Sequence, residues 1–308
     1  MAGDFMQQVV AQHGFTLPLP ADYHAATVLA YHGRDPAGPA ECWQGNYLQK
    51  GLLLHGAPLL LQLEFDTGCV HVVFSGSALL DWPLVLNEAE PVVRRMLGLD
   101  GQRERWQALA DSQPAVARLL GGRPALWLPL TAEPFEALCW AIIGQQINLS
   151  FATALRRSLI QLAGLPIAGS TLLAHPGPAE VAALQPEQLT GQRFSRSKAA
   201  YLLGAARAVL DGSLPLTALA GQSASEAERQ LLALHGVGPW TARYVMLRGL
   251  GFADCAPIGD SGLATALQRF HALPQRPDAR QTEQLMQAFA PCRSLATLHL
   301  WASLTENT

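Results

Sequence analysis

The 308-residue sequence lacks the features of a membrane-spanning, secreted or disulfide-rich protein. No stretch of about 18 uninterrupted apolar residues is present, so a membrane-spanning helix is not predicted. The first residues, MAGDFMQQVV, carry an acid where a signal peptide would be basic. The five cysteines are scattered and contain no CxxC pair, which favours reduced thiols over a disulfide framework or a zinc site. We therefore expect a cytoplasmic protein.

The charge is low and unevenly distributed. The net charge is −3, which taken alone argues mildly against a nucleic-acid partner. Residues 1–90 hold two basic and nine acidic residues, a net −7, which leaves 19 basic and 15 acidic residues, a net +4, for residues 91–308. This asymmetry suggests that any DNA would meet the later part of the chain.

Short apolar runs separated by turn-forming residues characterise residues 1–90. The pattern predicts strands over residues 16–19, 47–54, 59–65 and 69–74, and a short helix within 22–33. Turn formers such as GRDPAG and HGAP separate these runs. Strands followed by returning helices predict a small α+β domain.

From about residue 90 onward the pattern changes to helices. Residues 134–163 form a long helical stretch with a break near Gly144, and later segments open with Ser or Pro start signals. The resulting segments are an N-terminal α+β domain (1–90), helices that pack with the C-terminal lobe (91–130), a helical lobe (131–250) and a C-terminal helical lobe (251–308).

The most informative stretch is LHGVGPWTA at residues 234–242, followed by Asp260 in PIGDSGL. Gly236 and Gly238 flank Val237, and Pro239 suits a first helical turn, so a hairpin followed by a helix from Trp240 to about Leu250 is predicted. Uncovered backbone N–H groups at a helix start suit a phosphate oxygen. Asp260 follows 22 residues later (260 − 238). Taken alone, the local sequence favours an ordinary helix N-cap at Asp260.

This layout resembles the helix-hairpin-helix (HhH-GPD) DNA glycosylase superfamily. The resemblance extends to FEALCWAIIGQQINLSFATAL (135–155), RFSRSKAAYLLGAARAVLDGSLPL (193–216) and RSLATLHLWASL (293–304), in the family's order. It is strongest to the AlkA-type branch of 3-methyladenine DNA glycosylases II and covers roughly residues 15–304. It implies an α+β protein in which a small N-terminal antiparallel-sheet domain precedes a two-lobed all-α helix-hairpin-helix glycosylase body.

The resemblance also assigns roles to single residues. Asp260 is the implied catalytic carboxylate, because breaking an N-glycosidic bond builds positive charge on the deoxyribose. Trp240, Tyr244 and Trp301 occupy positions of the base pocket, where electron-rich rings attract a cationic alkylated purine. Gln146 stands where family members insert a side chain into the space left by the extruded nucleotide. The competing interpretations are core packing for the aromatic residues and a solvent-facing helix end for Gln146.

The hairpin carries two further implied functions. Gly236, Val237 and Gly238 form the phosphate-binding hairpin, and the carbonyls of Leu232, Leu234 and Val237 are the implied ligands of a structural monovalent cation. Arg243, Arg248, Arg193, Arg196 and Lys198 are candidates for phosphate contacts, with solvated charges as the alternative interpretation.

Trp240 determines the expected reaction. Strand-nicking members of the superfamily carry a lysine at this hairpin position, whereas this chain has only Lys50 and Lys198. A monofunctional glycosylase that leaves an abasic site is therefore expected. Only Cys292 lies near the C-terminus, so no iron–sulfur cluster is expected, and no cofactor is required.

The implied partner is double-stranded DNA that contains damaged bases. The protein is expected to be a monomer in a bacterial cytoplasm or nucleoid, without membrane contact. Two alternatives remain open: a glycosylase for another damaged or mismatched base, and a non-catalytic helix-hairpin-helix DNA-binding protein.

Overall fold

The computed structural model describes residues 9–101 and 103–305. The chain forms two compact units that are each discontinuous in sequence. Unit 1 contains the residues up to Val93 together with Ile147–Ala206, and unit 2 contains Arg94–Gln146 and the residues from Arg207 onward. The four segments inferred from the sequence follow chain order, and their boundaries stay a prediction. No helix in the described part of the chain is long and apolar enough to cross a bilayer.

Unit 1 is built on a five-stranded antiparallel sheet in the order β1-β5-β4-β3-β2. The strands are β1 (Val10–Pro18), β2 (Glu41–Gln44), β3 (Tyr47–Leu54), β4 (Ala57–Asp66) and β5 (Cys69–Ser77). Alternate residues of the central strands, such as Leu48, Leu61 and Leu63, are fully buried. One face of the sheet therefore lines the main core of this unit, while Leu53 and Leu60 on the other face pack with Ile167 and Ala174.

Helices complete unit 1. They are α1 (Ala26–His32), α2 (Trp82–Leu97, whose last turn belongs to unit 2), α6 (Leu149–Ala163), α7 (Pro178–Ala182), α8 (Pro186–Gly191) and α9 (Arg196–Leu210, which also ends in unit 2). A two-stranded ribbon, β6 (Leu165–Pro166) with β7 (Leu173–Ala174), follows α6.

A buried ion-pair cluster joins α6 to the sheet. Arg156 of α6 donates to both carboxylate oxygens of Glu41, at 2.6 and 3.0 Å, and Lys50 Nζ lies 3.9 Å from the same carboxylate. All three side chains are at most 2% exposed. Charges at this depth are tolerated only when they are paired, so the cluster ties the edge strand to the helix.

Unit 2 is helical. Its elements are α3 (Arg103–Ser112), α4 (Pro114–Leu120), α5 (Pro134–Gly144), α10 (Ala224–Leu232), α11 (Pro239–Val245), α12 (Ser261–Phe270), α13 (Ala279–Met286) and α14 (Arg293–Thr305). A π-helical turn, Met246–Leu250, continues α11. Two 3₁₀ turns, Leu216–Gly221 and Gln287–Phe289, complete the unit. Trp106 of α3 and Leu119 of α4 share one core with Phe289 and Leu295, so these early helices pack against the C-terminal ones.

A buried histidine lies in that core. The rings of Trp106 and His299 stack with their centroids 5.6 Å apart, and the backbone N–H of Leu126 donates to His299 Nε2 at 3.1 Å. Burial, with a smaller contribution from Arg123, lowers the pKa of His299 to about 4. The hydrogen bond requires an unprotonated Nε2, in agreement with the neutral ring.

We predict that His299 makes unit 2 less stable as the pH falls. Between pH ~6.5 and ~4 the unfolded chain binds a proton at this ring that the folded chain does not, so the free energy of unfolding falls by about 3 kcal/mol across that window. His299→Gln keeps an acceptor for Leu126 and removes the titration, so its unfolding free energy should depend less on pH. Urea unfolding of the parental protein and of His299→Gln at several pH values tests this. An unchanged slope in His299→Gln would contradict the assignment.

The fold class expected from the sequence is confirmed, and most elements lie where the patterns place them. The predicted strand starting at residue 47 is β3, and the break near Gly144 separates α5 from α6. The sequence missed β2, because Glu41 is a buried charge and disguises the strand pattern. It also missed the first residues of β1 and the π-helical form of the turn after α11.

Candidate active site

The glycine hairpin is a tight turn at the start of α11. Val237 N donates to Leu234 O at 3.1 Å, and Gly236 has φ of +87°, a conformation that favours glycine. Gly238 is the N-cap of α11, Pro239 is its first residue, and a side chain at position 238 would meet nothing within 4 Å. The N–H of Val237 closes the turn, so the N–H groups of Gly236, Gly238 and the first turn of α11 are those proposed for a phosphate.

Asp260 is the N-cap of α12, as its local sequence indicates. Its Oδ1 accepts from Leu263 N at 2.7 Å and from Trp301 Nε1 at 2.9 Å. Its Oδ2 accepts from Trp240 Nε1 at 3.2 Å. Three N–H donors on two oxygens suit the ionised carboxylate, which only accepts. The two indole N–H groups therefore hold the carboxylate in one orientation, and the capping hydrogen bond from Leu263 N holds it at the start of α12.

The three predicted pocket aromatics form one continuous wall. The rings of Trp240 and Tyr244 lie 5.7 Å apart between centroids, and those of Tyr244 and Trp301 lie 6.4 Å apart. Tyr244 is buried, whereas Trp240 and Trp301 keep part of their surface exposed. A side chain at Gly262 would lie 3.1 Å from Asp260 Oδ1, so the absence of one keeps the carboxylate accessible. The structure thus brings together residues from three helices at the carboxylate.

A buried arginine supports this wall. The guanidinium carbon of Arg248, in the π-helical turn, lies 5.5 Å from the centroid of the Trp301 ring. Arg248 Nη1 donates to Pro129 O at 2.8 Å, while its own carbonyl accepts from Thr131. The turn is therefore anchored to the segment that precedes α5. Single π-helical turns are frequent at functional sites, and no pattern in the sequence predicts this one.

Gln146 lies at the end of α5, exposed and with φ of +56°, which is uncommon outside glycine. The neighbouring Gln145 faces the hairpin instead. The side-chain amide of Gln145 donates to Gly236 O and to Thr241 Oγ1, both at 2.9 Å. The sequence analysis missed Gln145. The pair of adjacent glutamines was the only signal, and it does not tell which of the two faces outward.

The three carbonyls assigned to a cation belong to the last residue of α10 and to the hairpin. Leu232 is the last residue of α10, and the last carbonyls of a helix lack partners within it. The Leu234 carbonyl accepts from Val237 N and keeps a second lone pair. The donor set is neutral oxygen, which suits a hard monovalent cation and not a soft metal. The cation stays a prediction.

The candidate phosphate-contacting residues separate into two groups. Arg243 is held by Glu228 and Glu283, each at 2.7 Å, and Arg248 is buried, so both serve the protein itself. Arg193 and Arg196 are exposed, and Arg193 lies over the Phe151 ring. Lys198 is 9% exposed, and burial lowers its pKa.

The cysteines expected to be reduced thiols are free. Cys139, Cys255 and Cys292 are buried, and burial raises the pKa of Cys255 to about 12. Over residues 9–101 and 103–305, no group of three or more His, Cys, Asp or Glu side chains is placed to hold a metal ion. The expected lack of an iron–sulfur cluster stays a prediction.

Comparisons with known proteins identify related sequences. The profile of the "HhH-GPD superfamily base excision DNA repair protein" family matches residues 139–292, which include the hairpin and Asp260. The DNA-3-methyladenine glycosylase of Bacillus subtilis is 29% identical over 235 residues, covering 71% of this chain and 77% of that protein. The DNA-3-methyladenine glycosylase 2 of Escherichia coli is 32% identical over 188 residues, covering 61% and 64%.

A solved structure has the same fold over nearly the whole chain. The 3-methyladenine DNA glycosylase of Archaeoglobus fulgidus superposes with a TM-score of 0.78 at 19% identity, covering 94% of this chain and 97% of that one. At this level of identity the likeness establishes the fold alone.

Proposed function

The chain belongs to the HhH-GPD superfamily of base excision DNA repair proteins, and from that premise we propose that it is an AlkA-type DNA glycosylase for alkylated purines. Its reaction is the hydrolysis of the N-glycosidic bond of a flipped base, such as 3-methyladenine or 7-methylguanine, in duplex DNA. The observation that carries the proposal is the Asp260 carboxylate, held by the indole N–H groups of Trp240 and Trp301 beside an aromatic wall.

The chemistry of alkylated purines fits such a site. Alkylation at a ring nitrogen makes the base cationic, so it stacks on electron-rich rings with cation–π energies of about 0.5–2 kcal/mol. The same charge makes the base a good leaving group, and little acid catalysis is needed. A single carboxylate that stabilises the positive charge on the sugar and orients water is then chemically sufficient.

We assign the other roles as follows. The hairpin at Gly236, Val237 and Gly238 grips a DNA phosphate, and a monovalent cation held by the carbonyls of Leu232, Leu234 and Val237 would stabilise the turn. Gln146 fills the space that the flipped base leaves, since its exposed, left-handed position projects from the end of α5. We also infer that the protein acts as a monomer in the cytoplasm, where DNA is its partner.

The reaction should leave an abasic site without nicking the strand. A strand-nicking glycosylase uses an amine nucleophile, and neither lysine of the chain stands in the hairpin or in the helices that carry Asp260 and the aromatic wall, since Lys50 lies in β3 and Lys198 in α9. Trp240 occupies the hairpin position at which a lysine would stand, and its N–H group is committed to Asp260.

We predict that incubation with methylated duplex DNA releases free 3-methyladenine or 7-methylguanine, and that strand breaks appear only after alkali. Chromatography of the released bases and gel analysis of the strand with and without alkali test both parts. Breaks without alkali would contradict the monofunctional mechanism. No release of either base, with DNA binding retained, would favour a glycosylase for another lesion or a non-catalytic DNA-binding protein.

A further inference from the structure

Gln145 is a polar side chain at the end of α5 to which the reaction described above assigns no role. It is the C-cap residue of the helix, and its side chain is partly buried. Its amide nitrogen lies 2.9 Å from Gly236 O and 2.9 Å from Thr241 Oγ1. A carbonyl oxygen only accepts, so the group that faces Gly236 is the NH₂ group, whose two hydrogens can serve both acceptors at once.

The two acceptors are parts of the site with different tasks. Gly236 lies at the tip of the phosphate-binding hairpin, in a conformation with φ of +87°. Thr241 is 2% exposed and directly follows Trp240, which donates to the catalytic carboxylate. The amide of Gln145 is therefore bonded both to the segment that grips DNA and to the helix that carries the pocket wall.

The residue after Gln145 is the exposed Gln146, with φ of +56°. A non-glycine residue stays in this region only where the surrounding structure holds it there. The two hydrogen bonds from the side-chain amide fix the position of Gln145, so they also fix the direction in which Gln146 projects.

We propose that Gln145 is a positioning residue that sets the offset between the phosphate grip at Gly236 and the inserted side chain of Gln146, and so couples DNA binding to base flipping. The inference rests on the proposed function. Flipping leaves a space in the stack, and a side chain already held at the right distance from the gripped phosphate loses less freedom when it enters that space. The contribution is confined to substrates in which a stacked base must be extruded.

The test compares two DNA substrates that carry one 7-methylguanine each. In the first the lesion is paired with cytosine in a complementary duplex, and in the second it is a one-nucleotide bulge, whose base is already unpaired. Single-turnover release at saturating protein removes differences in binding. Gln145→Met keeps the length of the side chain and removes both donors. We expect release from the paired duplex to slow about tenfold, the scale of two lost neutral hydrogen bonds, and release from the bulge to slow by less than about twofold.

Two further variants separate positioning from a general structural role. Thr241→Val removes one of the two acceptors and should move the paired-to-bulged ratio in the same direction by a smaller factor. Gln113→Met removes a hydrogen bond from the side-chain amide of Gln113 to Ala290 O in the same unit, and it should leave the ratio at the parental value. If Gln145→Met misfolds, Thr241→Val alone still decides the inference.

The outcomes are distinct. Equal slowing on both substrates in Gln145→Met, or a parental ratio in Thr241→Val, would overturn the positioning role while leaving the glycosylase function intact. A parental protein that releases base from neither substrate would overturn the proposed function, and the inference with it.

Discussion

Replacing Asp260 with asparagine is expected to lower the single-turnover rate of base release by ~10²–10³-fold, the scale on which removing one charge-stabilising group slows an enzyme. That factor corresponds to about 3–4 kcal/mol of transition-state stabilisation. The positive charge that develops on the sugar would then face a neutral amide instead of a carboxylate. Asparagine also places an NH₂ group where Trp240 Nε1 or Trp301 Nε1 donates, so one of these bonds is lost. Binding to abasic DNA should persist, because the hairpin is unchanged.

A matched control exists within the same unit. Asp278 is the N-cap of α13 and accepts from Gln281 N at 2.8 Å, just as Asp260 accepts from Leu263 N. Asparagine caps helices about as well as aspartate, so both variants should fold. Asp278→Asn should therefore release base at the parental rate. Parental activity in Asp260→Asn would contradict the catalytic assignment. Equal losses of activity in the two variants would indicate that the loss comes from helix capping alone.

The second large effect is expected in unit 1, from the buried carboxylate of Glu41. Its carboxylate pairs with both Arg156 and Lys50, and all three side chains are almost completely buried. Glu41→Gln removes the charge that both cations face, and breaking a buried pair in this way costs about 3–5 kcal/mol. Arg156→Met should cost less, because Lys50 still lies 3.9 Å from the Glu41 carboxylate.

Urea unfolding followed by far-ultraviolet circular dichroism measures these changes in the free energy of unfolding. The matched control is Glu226→Gln, the same substitution in the exposed Glu226–Arg229 pair of α10, which should hardly change the free energy of unfolding. A Glu41→Gln variant with the parental midpoint, or one less perturbed than Arg156→Met, would contradict the charge argument.

Much of the site was predictable from local sequence, since its parts are short-range features. The turn at Gly236 follows from two glycines that flank one residue, and the start of the helix after it follows from Pro239. The capping role of Asp260 follows from Asp-Ser-Gly before an apolar helix, and the structure confirms it. Each of these features depends on residues within a few positions of one another, where backbone preference dominates.

The elements that escaped prediction depend on partners far along the chain. Strand β2 contains the buried Glu41, whose charge is stabilised by Arg156, a residue 115 positions later in the sequence. The π-helical turn places its Arg248 guanidinium where Pro129 O can accept from it. The different directions of Gln145 and Gln146 depend on acceptors about 90 residues later. Period and propensity carry no information about such partners.

What the sequence determined by itself is therefore the fold class, the hairpin with its glycines and the capping position of Asp260, while the family resemblance proposed the carboxylate and the aromatic residues of the site. The tertiary structure alone decided how those side chains are oriented: which oxygen of Asp260 each indole meets, how Trp240, Tyr244 and Trp301 align into one wall, and which glutamine faces the hairpin. The physical reason is that hydrogen bonds and ring contacts are directional and act over a few ångströms. Chain packing brings the donors and acceptors together, and residue type only makes them available.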